Sequence, residues 1–113
     1  MRPIIKAARL GAVALALSIG AAQAQDYPNR PITLVVPFPP GAVTDASARL
    51  LQPLLSERLG QQVIVENVGG AGGTLGAKQV ADAEPDGYKL LLYHIGMATS
   101  ATLYRNLPYD TLG

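Results

Sequence analysis

Apolar positions fall into two alternating kinds of run along this chain. Ile32-Thr33-Leu34-Val35-Val36 is almost continuously apolar and β-branched, the pattern of a strand buried on both faces of a parallel sheet. Prolines and a glycine at 37–41 end it, because they cannot continue a ladder. Ala46, Leu50, Leu51, Leu54, Leu55 and Leu59 then recur at helical spacing. They predict a helix to about residue 59, with Thr44 as N-cap, Asp45 in the first turn and Gly60 as the stop. Pro53 inside the pattern should kink this helix or end its first half.

Val63-Ile64-Val65 predicts a second short buried strand, and 69–76 a glycine-rich turn. A second helix is expected over 77–83, stopped by Pro85-Asp86-Gly87, and a third strand over 88–93. A small-residue stretch, 96–102, and a Leu-Pro-Tyr-Asp segment close the chain. Strand, helix, strand, helix, strand at this spacing is an α/β fold with parallel strands, β-α-β-α-β, joined by right-handed crossovers.

Charge changes the picture at the N-terminus. Arg2, Lys6 and Arg9 precede an apolar run over 10–22 and then Ala22-Gln23-Ala24, with no acidic residue before Asp26. A positive start, a short apolar stretch and a small-x-small end predict a cleavable signal peptide over 1–24, cut after Ala24, and a periplasmic product. The apolar run is shorter than the roughly 20 residues a membrane-crossing helix needs. Three of the nine basic residues and none of the eight acidic ones lie in this segment. Residues 25–113 thus hold six against eight, a net charge of −2, and nothing calls for nucleic acid as a partner. With no cysteine, neither disulfides nor a thiol nucleophile are available.

Ligands of such sheets bind beyond the carboxyl ends of the strands. Those ends carry 37–43, 68–74 and 94–99. The first two loops feed helix N-termini, whose free N–H groups and partial positive charge suit a carboxylate or phosphate. The same glycines and prolines could equally make tight turns and nothing more. Nucleotide fingerprints fail: Leu75 stands where G-x-G-x-x-G needs its last glycine, and Ala77 precedes Lys78 where a P-loop needs glycine. His94 is the one histidine, so neither a metal cluster nor a nucleophilic triad is expected, and no cofactor. His94 reads as a pocket wall or a hydrogen-bonded structural residue. Asp45 could complement the helix dipole or face the ligand. The tyrosines read as core and surface aromatics.

Several motifs coincide in order: Tyr27-Pro28-x-x-Pro31-Ile32, Val36-Pro37-Phe38-x-Pro40-Gly41-x-x-Thr44-Asp45, and Leu59-Gly60-Gln61. Val65-Glu66-Asn67, Gly70-Ala71-Gly72-Gly73, Pro85-Asp86-Gly87-Tyr88 and Leu107-Pro108-Tyr109-Asp110 follow. Together they resemble the solute-binding proteins of the tripartite tricarboxylate transporter family, the Bug receptors. The resemblance implies a type II periplasmic binding protein whose two α/β lobes close on a small carboxylate, a di- or tricarboxylate or an amino acid, with membrane transporter subunits as partners. It implies no enzymatic activity. It assigns the ligand to Phe38, Pro40, Gly41, Ala42, Thr44 and Asp45 of the first loop and to Gly70, Ala71, Gly72, Gly73 and Thr74 of the second; His94 joins the candidates only by its place at the third strand's end.

Ala42 departs from the family's usual Pro-Gly-Gly, and would cost roughly 1 kcal/mol if that position needed a positive φ. Lys89 replaces the usual threonine. Family members are about three times longer, so the expectation is a first lobe alone, with the second absent. The competing expectations are an exported anion-binding α/β enzyme domain and a truncated reading frame without function.

Overall fold

A computed structural model describes residues 26–112. The expected signal segment lies outside them. Three strands form one parallel sheet: β1 (Ile32–Val36), β2 (Val63–Asn67) and β3 (Lys89–Leu91), in the order β2-β1-β3. Ile32 pairs with Val63 and Val36 with Asn67, while Thr33 pairs with Lys89 and Val35 with Leu91. The helices are α1 (Val43–Leu59), α2 (Thr74–Ala81) and α3 (Gly96–Leu103). None of them is long and apolar enough to cross a membrane.

The central strand is the core, as its composition predicts. Ile32, Leu34 and Val36 are buried with Val63 and Ala48, and Phe38, Leu55, Leu59, Val65, Tyr88 and Leu92 pack around them. Val35 points to the other face and is also fully buried, and α2 buries Ala77.

α1 meets the sheet along a different stripe from the expected one. Ala48 is fully buried and Leu55 and Leu59 pack on the core, but Leu50, Leu51 and Leu54 stand out in solvent. Positions 45, 48, 52, 55 and 59 share one helical face. Gln52 on this face and Ser56 beside it are polar, and each is hydrogen-bonded. Gln52 Nε2 donates to the Val63 carbonyl at 2.8 Å, and the Ser56 hydroxyl accepts the Val63 N–H at 2.9 Å. The helix runs unbroken through Pro53 and ends on left-handed Gly60, φ 66°.

Several boundaries differ from the sequence expectation, and β2, expected as a buried strand over 63–65, runs on to Asn67 with only Val63 buried. β3 is three residues rather than six. α2 starts at Thr74, immediately after a 3-10 turn over Ala71–Gly73, so Gly76 lies inside it. Residues 96–103, read from sequence only as a small-residue stretch over 96–102, form α3.

Below the sheet, an N-terminal arm is clasped to the Pro85–Tyr88 turn. Arg30 Nη2 pairs with Asp86 at 2.6 Å and its guanidinium lies 4.0 Å over the Tyr88 ring. The Tyr27 hydroxyl donates to the Gly87 carbonyl at 2.6 Å. This closes the end of the sheet opposite the loops that carry the expected site.

Candidate functional site

The three loops at the carboxyl ends of the strands adjoin. A Cβ on Gly69 would lie 3.3 Å from the Pro39 ring, which marks the seam between the first and second loops. Phe38 of the first loop stacks on His94 of the third, centroids 4.6 Å apart at 16°, with Tyr93 at 5.5 Å. All twelve expected residues therefore lie in these adjoining loops or in the first turns of the helices that follow them.

In the first loop, the Ala42 N–H donates to the Pro39 carbonyl at 3.3 Å across Pro40 and Gly41. Proline at the second place and glycine at the third, with φ 89°, are the residues a type II turn requires. Ala42 itself is extended, φ −67° and ψ 162°, so the cost anticipated for alanine there does not arise. The left-handed position is Gly41.

Thr44 lies in the first turn of α1 and is not its cap. The N-cap is Ala42, which has no side chain able to accept. Asp45, inside the helix, instead ties down the residue before the cap. It is 2 % exposed, and its Oδ2 accepts the Gly41 N–H at 2.8 Å and Arg49 Nε at 3.0 Å. Its Oδ1 accepts Asn67 Nδ2 at 2.9 Å. The Gly41 amide, the Asn67 amide and Arg49 together lower its pKa to about 2. Asp45 lies in the first turn of α1, where the dipole reading put it, and is turned inward to hold the loop. The amides at the start of α1, which have no intrahelical acceptor, stay available to a ligand.

The second loop has an unusual backbone. Gly70, Ala71, Gly72 and Gly73 all have positive φ, at 125°, 48°, 64° and 93°. Ala71 is the one such non-glycine among the described residues, and left-handed geometry costs an L-residue about 1–2 kcal/mol. Its carbonyl offsets this by accepting three donors: the Thr74 N–H, the Thr74 hydroxyl at 2.9 Å and the Tyr104 hydroxyl at 3.2 Å. The Tyr93 hydroxyl donates to the Gly72 carbonyl. The Gly73 N–H turns inward to Gly70. With these carbonyls occupied, the N–H groups of Gly70, Ala71 and Gly72 are left facing out of the loop's own hydrogen bonds.

Tyr93 and Tyr104 thus serve the glycine loop directly. A Cβ on Gly73 would sit 2.5 Å from the Tyr93 hydroxyl and one on Gly72 2.7 Å from that of Tyr104. Glycine is needed there for tyrosine approach as well as for φ. Burial pushes the Tyr93 phenol up, which keeps it a donor.

His94 Nδ1 accepts the N–H of Gly96, the first residue of α3, at 2.9 Å. Its exposed edge borders a groove lined by Met97, Ala98, Ala101, Thr111 and Leu112. The sequence reading missed Asn67, Arg49, Tyr93 and Tyr104 as site residues. Arg49 was visible as the i+4 partner of Asp45, and Asn67 as a polar residue ending a buried strand.

Comparison with known proteins gives a consistent result. The model of the tripartite tricarboxylate transporter family receptor matches residues 47–113. The structure of the periplasmic binding protein BugD superposes with a TM-score of 0.73 at 52% identity, covering 75% of this chain and 28% of that one. MatC from Rhodopseudomonas palustris with bound malate gives 0.72 at 43%, covering 75% and 29%. R. palustris Rpa4515 with adipate gives 0.71 at 40%, with the same coverage. The chain spans 27% to 36% of the length of curated relatives it matches.

Proposed function

The chain belongs to the tripartite tricarboxylate transporter family of receptors, and on that premise we propose that it captures a small carboxylate at the carboxyl ends of its parallel strands. The ligand sits between residues 38–45 and 70–74, with His94 at the side. The observation that carries this reading is the absence of free negative charge between two helix N-termini. Asp45 is the one acidic residue in those segments, and it is turned inward and fully paired. The start of α1 and the glycine turn leading into α2 therefore present N–H groups, and the helix dipoles partial positive charge, to whatever enters.

Malate and adipate, the ligands of two relatives, carry two carboxylates each. One such group fits the donors of a single lobe, and the other end of the ligand would be read elsewhere. In this reading the chain is a periplasmic receptor delivered by a signal peptide at residues 1–24, with membrane transporter subunits as partners, and performs no chemistry on its ligand.

The test is an amide NMR titration of the chain with malate, adipate and citrate near neutral pH, with malamide as the uncharged control. Carboxylates are expected to move the amides of Val43, Thr44, Ala71 and Gly72, and malamide to leave them in place. A panel that moves none of these amides, or a diamide that moves them equally, overturns the carboxylate reading.

A further inference from the structure

Asn67, the last residue of β2, uses its whole side-chain amide on the first loop and the helix behind it. Nδ2 donates to the Phe38 carbonyl at 3.1 Å and to Asp45 Oδ1 at 2.9 Å. Oδ1 accepts Arg49 Nη2 at 3.2 Å. The two loop bonds bracket the type II turn: Asn67 holds the Phe38 end, and Asp45, oriented by Asn67, holds the Gly41 end at 2.8 Å.

We propose that Asn67, backed by Arg49, is the positioning residue that keeps the first loop ready for an anion by aiming the Asp45 carboxylate away from it. Both oxygens of Asp45 are spoken for only while Asn67 donates to one of them. Without that donor the carboxylate retains the Gly41 amide and Arg49 and gains freedom to rotate. Rotation would bring a negative charge toward the N-terminus of α1, where it would compete with a ligand carboxylate for the same amides. The Phe38 carbonyl would also lose its partner, and with it the anchor of the ring that stacks on His94. Asn67 touches no ligand in this scheme and acts through Asp45 and Phe38.

The benefit of this geometry rests on the carboxylate reading, whereas the geometry itself can be measured on the free protein. Two variants probe it. Asn67→Leu keeps the size and removes the amide; Arg49→Met removes the exposed end of the network. The first readout is the Gly41 amide proton, followed by NMR as the pH is lowered, because its shift reports whether Asp45 is ionised and bonded to it. Among the described residues Arg49, from the same helix, is the one charged group bonded to Asp45, and the loop and β2 present it with the neutral Gly41 and Asn67 amides. The second readout is malate affinity.

Asn67→Leu is expected to unfold cooperatively, to move the Gly41 titration to higher pH, and to weaken malate binding by about tenfold, the effect of one lost charge-assisted bond. Arg49→Met should move both readouts the same way by less. A folded Asn67→Leu chain with an unmoved Gly41 titration and unchanged affinity overturns the proposal. If Asn67→Leu does not fold, the same null result in Arg49→Met overturns it. Should the unsubstituted chain give no malate response at 43–44 and 71–72, the carboxylate reading falls, and the Gly41 titration still decides whether Asn67 positions Asp45.

Discussion

At the scale of single residues, Gly76 sets close packing against helix propensity. Alanine in the middle of a helix is favoured over glycine by about 1 kcal/mol. A Cβ at 76, however, would lie 2.7 Å from Pro37 Cβ, 2.9 Å from Pro37 Cα and 2.9 Å from the Val68 carbonyl. Two of these atoms are backbone and cannot rotate away, so overpacking of about 1–3 kcal/mol outweighs the propensity. Gly76→Ala should lower the urea midpoint, and a raised midpoint would show that the first two loops can part. Asp45 gives the pH dependence. Its folded pKa, about 2, lies below the ordinary carboxylate value of about 3.9. The stability it contributes is complete above about pH 4 and is lost as pH falls through about 2. Asp45→Asn should therefore be less stable than the parent near neutrality, with the gap closing between pH 4 and 2; a gap of constant size would contradict the assigned network. The sequence made Asp45 legible as a helix-start acid and left open which way it faced. That orientation depends on Asn67, 22 positions away, and no local spacing reveals it. Whether position 42 needed a positive φ was left open as well, because the turn type that puts it on Gly41 is fixed by the Ala42–Pro39 bond.

At the scale of elements, β1 was legible end to end because both of its faces are buried, and its five residues are apolar or β-branched for that reason. α1 was legible in extent but not in orientation. Leucine spacing suggested the wrong face, since the side against the sheet is built from Ala48, Leu55 and Leu59 with Gln52 and Ser56 bonded to Val63. Substitution should make the difference visible. Ile32→Val removes one methylene at a site of zero exposure and should cost about 0.5–1.5 kcal/mol. Leu54→Ser, at 59% exposure, should change stability by no more than about 0.5 kcal/mol. Chemical denaturation of both variants checks the pair, and a larger loss at Leu54 than at Ile32 would mean that something covers the outer face of α1. α2 began earlier than expected because three left-handed glycines and Ala71 wind the chain directly into Thr74, whereas glycine composition reads as loop. α3 was invisible for a similar reason: small residues carry little periodicity, and its start is fixed by the His94 acceptor.

At the scale of the whole molecule, the parallel sheet follows from the βαβ order, and its hydrogen-bond pattern can be read amide by amide. The Ile32 N–H donates to the Gln62 carbonyl and the Thr33 N–H to that of Tyr88, so successive β1 amides serve β2 and β3 in turn. On the edge strands the Val68 N–H returns to Val36 and the Leu92 N–H to Val35. By the same alternation the amides of Ile64, Glu66 and Leu90 point into the sheet, and those of Val65 and Leu91 point out of it. Among the described residues α1 covers the β2 edge at Val63, and the outward amides of Val65 and Leu91, on edges with no further strand, are the places where another strand could add. Hydrogen exchange distinguishes an open edge from a covered one. In dilute solution every β1 amide should exchange slowly, at rates near those of global unfolding, and the edge strands should alternate, slow at 64, 66 and 90 and fast at 65 and 91. Slow exchange at Val65 or Leu91 that appears as concentration rises would mean that the edge pairs with a second copy. Slow exchange there at every concentration would mean that the edge is covered within one chain. Uniformly fast exchange across β1 would show that the three strands do not hold a cooperative sheet.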